Sequence, residues 1–226
     1  MLERAAMTRS GRCVPTLSRL ARRLALLLAF AAAAGRLEAQ SEAYAVAPAA
    51  SRVRIRLGRA GLMGFLGHDH EIVAPIAEGS IEVRDGDPTR SSVALRFESA
   101  RLSIVPGSEP ADDIPKVEER MRGPEVLEVA RYPEIAFAST SVRSQAKDGS
   151  RVLIVVAGTL TLRGRSVPVE IPLEVVREAL TVAARGGLNL NLRDLGVEPP
   201  SVAGVVKVAN RFRLEFEIRA TATGER

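Results

Sequence analysis

The sequence predicts an all-β protein: an antiparallel β-barrel of about eight strands with one short helical insertion. Three observations point there. Apolar residues recur at every second position over Val167, Val169, Ile171, Leu173 and Val175, the period that puts them on one face of a strand. The same period returns near the end of the chain, where Leu214, Phe216 and Ile218 alternate with Arg213, Glu215, Glu217 and Arg219. Turn signals separate such runs at short intervals, and helical texture is confined to one stretch between Pro110 and Arg131, which favours a barrel or sandwich. A sheet with one oily face must cover it with a second sheet, by closing on itself, or with a ligand.

The elements follow in order. Gln40 to Ala50 is small and polar and reads as a lead-in. Val53, Ile55 and Leu57 alternate with Arg54 and Arg56, which gives a first strand with one wet face. Ile81 and Val83 repeat the pattern before the turn cluster Asp85-Gly86-Asp87-Pro88. Val93, Leu95 and Phe97 alternate with Ala94, Arg96 and Glu98. In the insertion, Asp112 or Asp113 is placed to cap a helix with Pro115 in its first turn and Gly123-Pro124 as its stop. Leu160 and Leu162 are parted from the Val167 run by Arg163-Gly164-Arg165-Ser166, which reads as a hairpin. Arg193 to Pro200, with Gly196 and Pro199-Pro200, reads as a loop.

Met1–Ala39 is set apart as a leader. Arg19, Arg22 and Arg23 precede the apolar run Leu24–Ala34, and Leu37-Glu38-Ala39 follows. That order is the pattern of a secretory signal peptide. The run would reach only about 16 Å as a helix, against the roughly 30 Å of hydrocarbon that a spanning helix must cross. The expected division is therefore a signal peptide over 1–39 and one barrel domain over 40–226, periplasmic or secreted. The formal charge of +5 on the 226-residue chain resides in the leader, which holds seven basic and two acidic residues and leaves 25 of each sign behind. A balanced domain is not a nucleic-acid binder. The one cysteine, Cys13, also lies in the leader, so the domain has no thiol for a disulfide, a metal or a nucleophile.

The two histidines, His68 and His70, sit inside Gly61-Leu-Met-Gly-Phe-Leu-Gly67-His-Asp-His-Glu-Ile72. In an extended segment both imidazoles share one face, and together they could supply two ligands to zinc, copper or haem iron. A metal site needs a third group, which no nearby spacing names. The bland alternative is that Gly61, Gly64 and Gly67 permit a tight bend whose backbone His-Asp-His hydrogen-bonds. A role at a ligand mouth is the remaining option. The glycines do not form a phosphate cradle, because the Walker lysine and the dinucleotide fingerprint are missing. Gly-x-Ser-x-Gly is missing too. The carboxylate pairs Asp112-Asp113 and Glu118-Glu119 sit at a helix start, where the helix dipole explains them. The chain is therefore not expected to be an enzyme.

The inward stripes are the remaining candidates: Leu95, Phe97, Phe137, Leu160, Leu162, Val169, Ile171, Leu214 and Phe216. Each alone is explained by core packing. Collectively they raise the question of barrel width, since eight strands either fill with side chains or enclose one small ligand. Aromatic residues are only 4% of the chain while alanine, valine and glycine are plentiful, so interior side chains are small for the space they would have to close.

Two segments carry a family likeness. Tyr132-Pro-Glu-Ile-Ala-Phe-Ala-Ser-Thr-Ser-Val142, followed by Gly158-Thr-Leu-Thr-Leu-Arg-Gly164, resembles the YceI-like family of bacterial periplasmic lipid-binding proteins. Ser51-Arg52-Val53, the insertion over Met121–Leu127 and Asn191-Leu-Arg-Asp-Leu-Gly196 fit the same pattern, so the likeness spans roughly Tyr44 to Ala222. The family's aromatic-rich opening is replaced here by Val46-Ala-Pro-Ala-Ala-Ser51, and no contact is carried over to it. The resemblance implies a lipocalin-like barrel whose interior holds an isoprenoid chain. The expected function is thus sequestration or carriage of a long-chain lipid, polyisoprenoid or quinone-like, with no cofactor required beyond the bound isoprenoid lipid. The reading admits transient contact with a membrane and a homodimer. Its rivals are a metal- or haem-binding protein built on His68 and His70, and an interaction module with a filled barrel.

Overall fold

In the computed structural model, residues 41–60, 69–84, 87–202 and 206–224 are described. They lie in the compact unit Ala39–Arg226. Strands dominate: β1 (Ser41–Val46), β2 (Arg52–Ala60), β3 (His70–Val73), β4 (Ile76–Arg84), β5 (Ser92–Glu98), β6 (Ser103–Ile104), β7 (Glu134–Asp148), β8 (Arg151–Leu162), β9 (Arg165–Arg177), β10 (Thr181–Asn191), β11 (Ser201–Val202) and β12 (Val206–Ala222). One helix, α1 (Ile114–Arg122), interrupts them.

Every neighbour pair is antiparallel, in the order β1-β4-β5-β7-β8-β9-β10-β12, and β12 returns to β1 through Tyr44–Ala222 and Val46–Ala220. The ring closes with eight strands, as the periodicity led us to expect. The long β12 also carries β2 along Lys207–Glu217, and β2 is followed in the sheet by β3 and β6. The wet faces read from the sequence point outward. There Arg54 pairs with Glu71 at 2.8 Å, Arg56 with Glu215 at 3.3 Å and Arg185 with Glu174 at 2.9 Å.

The segment read as a lead-in is in fact the first strand. Tyr44 and Val46 are buried while Ala43 and Ala45 face solvent. The alternation is present, but alanine on the outer face hides the polar half of the signal. The strand opened by Ser51-Arg52-Val53 is consequently the second. The insertion matches its expected limits, with Pro115 in the first turn and Gly123 at the C-cap. Asp113 occupies the N-cap position without a side-chain cap bond, its carboxylate lying 3.1 Å from the Lys116 ammonium instead. The hairpin between β8 and β9 turns on Arg163 and Gly164, with φ of 51° and 71°. Two consecutive left-handed residues match the right-handed twist of the flanking strands. The Arg193–Pro200 loop is more deeply placed than its composition suggests, with Leu195 and Val197 buried in the main core.

Candidate functional site: an apolar cavity in the barrel

Inside the ring lies a cavity of about 100 Å³, and every residue lining it is apolar. An apolar void of this order stays dry and takes up a small hydrocarbon, as a cavity of about 150 Å³ does with benzene. The lining is built by register. Leu95, Phe137 and Leu160 stand side by side across β5, β7 and β8, and Leu188 faces Leu214 across β10 and β12. Antiparallel partners project to the same face, so each row presents a continuous oily strip to the interior. Leu95, Leu160, Leu188, Leu190, Leu214 and Phe216 keep intermediate exposure despite pointing inward.

Of the stripe read from the sequence, Leu95, Phe97, Phe137, Leu160, Val169, Ile171, Leu214 and Phe216 line the cavity. Leu162 does not. It is the last residue of β8, beside the turn, and packs against the cluster that includes the insertion's Met121 and Leu127. The sequence reading missed Val53, Ile81, Val93, Val156, Leu173, Ala184, Leu188, Leu190 and Ile218. Most of these lie on β10, where Arg185-Gly186-Gly187 interrupts the apolar alternation, or were assigned to strands without being assigned to the site.

Glycines set the clearance at the wall. A Cβ on Gly158 would lie 2.6 Å from the Phe137 ring and 2.6 Å from the Ala138 carbonyl oxygen. One on Gly79 would lie 2.7 Å from Val46 and 2.8 Å from Leu95. Phe137 therefore lies flat over the strand only because position 158 has no side chain, an arrangement in which an aromatic ring covers a strand glycine.

Two polar groups sit outside the cavity lining on the inward face of the sheet. His70, opposite Leu57 on β2, bonds through Nδ1 to Glu109 Oε1. The Glu109 side chain is only 2% exposed and that of His70 21%. Glu109 is the carboxylate that no spacing revealed. His68 lies outside the described residues, and among the described residues no group of three or more potential metal ligands occurs. On β1, Tyr44 is 1% exposed. Its hydroxyl donates to Glu42 at 2.5 Å and accepts from Arg177 Nε at 3.1 Å. Burial, then the hydrogen bond to the Glu42 carboxylate, raises the Tyr44 phenol above its ordinary value, against the opposing pull of Arg177. A groove on the outer wall is lined by Arg52, Arg54, Arg56, Arg185 and Arg213 with Glu174, Glu215 and Glu217. Its ion pairs make it a solvated face.

An apolar lining offers a ligand burial, and among the described residues that line the void none carries a polar side chain. Residues 44–220 match the model of the YceI-like domain. The chain belongs to the YceI-like family. Members of that family are periplasmic barrel proteins that bind apolar ligands. Among solved structures, this YceI-like chain is similar to Burkholderia cenocepacia BcnA, with 16% identity, 78% of this chain and 99% of that chain covered, and a TM-score of 0.56. It is also similar to a mutant Campylobacter jejuni YCEI protein with a monobromobimane guest, with 13% identity, coverage of 67% and 85%, and a TM-score of 0.50. At these identities the likeness concerns the fold. No curated protein matches the sequence. No helix among the described residues is long and apolar enough to cross a membrane.

Proposed function

We propose that this YceI-like protein is an exported carrier that sequesters a long-chain lipid, polyisoprenoid or quinone-like, by burial and without covalent chemistry. The observation behind the reading is the wholly apolar lining of the cavity inside the ring. Each methylene taken from water into such a lining contributes roughly 0.8 kcal/mol, so a long chain needs no polar contact along its length. The Met1–Ala39 leader supplies the route of export and is removed on the way.

The test is extraction. The protein is purified from its native host under mild conditions, extracted with organic solvent, and the extract is analysed by mass spectrometry. A stoichiometric long-chain lipid is expected. Lipid-free preparations that also fail to take up added polyprenols would end the carrier reading and leave the filled-barrel module in its place.

A further inference from the structure

The seam between β9 and β10 is paired over only part of its length. Backbone pairing runs from Val182–Arg177 to Gly186–Leu173 and stops. Beyond that point β9 continues to Arg165 paired with β8 alone, and β10 continues to Asn191 paired with β12 alone. The sequence accounts for the break. Pro168 and Pro172 have no N–H, so they occupy positions of β9 that donate nothing to β8 and turn their backbone toward β10. A Cβ on Gly186 would collide with the Pro172 carbonyl oxygen, which confirms that orientation. Two donors are thus missing from the side of β9 that would have to bond β10, and proline in a ladder belongs at an edge.

What holds the unpaired stretch is side chains. Leu188 and Leu190 pack against the cluster that contains Val169 and Ile171, and all four line the cavity. Both ends of the ring are closed more firmly. Tyr44, Val46, Val182 and Ala220 are buried at one end, and Met121, Leu127, Leu195 and Val197 at the other.

We infer that the unpaired β9–β10 seam is a lateral portal, through which the apolar chain crosses the barrel wall between Val169/Ile171 and Leu188/Leu190. Parting these side chains breaks no backbone hydrogen bond, whereas opening a paired seam strands an N–H and a C=O for each bond lost. At the fork stands Gly186-Gly187, a pair with the backbone freedom of a hinge, and the Phe216 ring lies 3.1 Å from the place of a Gly186 Cβ. The inference rests on the carrier reading.

Continuing the β9–β10 register past the fork sets Ile171 opposite Leu188. The experiment uses the chain carrying Cys13→Ser, with a disulfide introduced by Ile171→Cys and Leu188→Cys. A control bridge, Val176→Cys with Ala183→Cys, joins register partners on the paired side of the fork, neither of them in the cavity lining. Uptake of tritium-labelled solanesol, a long polyprenol, is followed from phosphatidylcholine vesicles. The oxidised Ile171/Leu188 variant is expected to load about tenfold more slowly or worse, to recover on reduction, and to differ from the oxidised control. Leu188→Ala with Leu190→Ala is expected to load faster than the parent, which tests the portal even if the bridge forms poorly. A parent that binds solanesol while the bridged and truncated variants load at its rate overturns the portal alone. A parent that takes up no solanesol overturns the carrier reading and the portal together.

Discussion

The Arg163 guanidinium lies 3.2 Å from Glu128 Oε2, and both residues hold left-handed backbone, with φ of 51° and 50°. The same guanidinium donates to the Pro124 carbonyl at 3.1 Å. The turn of the β8–β9 hairpin thereby grips the segment that follows α1. Gly164 completes the joint, because a Cβ there would press on the Tyr132 ring at 3.1 Å. The Leu-Arg-Gly and Tyr-Pro segments, separated in sequence, are two halves of one contact. Arg163→Ala should destabilise the protein by about 1.5–3 kcal/mol, the range for a hydrogen bond to a charged group. Denaturant unfolding measures the loss, and hydrogen exchange should show it concentrated over residues 114–130.

Much of this architecture was legible in the sequence, for reasons that also explain the omissions. β9 and β12 pair a polar outer face with an apolar inner one, so their period is plain. β1 is hidden because alanine occupies its outer positions 43 and 45. β10 is hidden because Gly186-Gly187 breaks the run just where close approach to Pro172 and Leu214 forbids a side chain. The His70–Glu109 pair spans 39 positions and joins a strand to the loop before α1, a proximity that no local spacing encodes.

Gly158 is the second point of test. Its Cβ would meet both a ring and a backbone oxygen at 2.6 Å, and the backbone cannot yield cheaply. Gly158→Ala should cost about 1–3 kcal/mol, as overpacking does. It should also push Phe137 into the cavity and weaken lipid binding. Thermal melting and polyprenol binding on the same preparation read the two effects.

Filling the cavity separates a carrier from a filled-barrel module. Ala184 is the smallest side chain in the lining. Ala184→Phe should reduce polyprenol binding by about tenfold or more, the loss of roughly two buried methylenes' worth of contact, with the melting temperature kept or raised. Unchanged binding in a folded Ala184→Phe protein would mean that the ligand does not lie where the lining suggests.

The buried pair can be weighed by a double-mutant cycle. His70→Ala leaves the Glu109 carboxylate without a partner among the described residues, and leaving a buried hydrogen-bonding group unsatisfied costs about 1–3 kcal/mol. Glu109→Gln should cost less, and the double substitution less than the sum of the two. Strict additivity would show that the two side chains do not support one another.

Tyr44 gives the protein a stability that depends on pH at the alkaline end. Its folded-state phenol is raised above the unfolded value, so the folded form holds its proton more tightly than the unfolded chain. The contribution is fully present below the unfolded pKa of about 10 and is lost as pH rises through the folded one. Ionisation would set a phenolate beside the Glu42 carboxylate in a side chain that is 1% exposed. Stability to denaturant should therefore fall above about pH 10, and Tyr44→Phe should flatten that fall while forfeiting the bonds to Glu42 and Arg177 at neutral pH. Equal alkaline slopes in the two proteins would show that the phenol is not the group responsible.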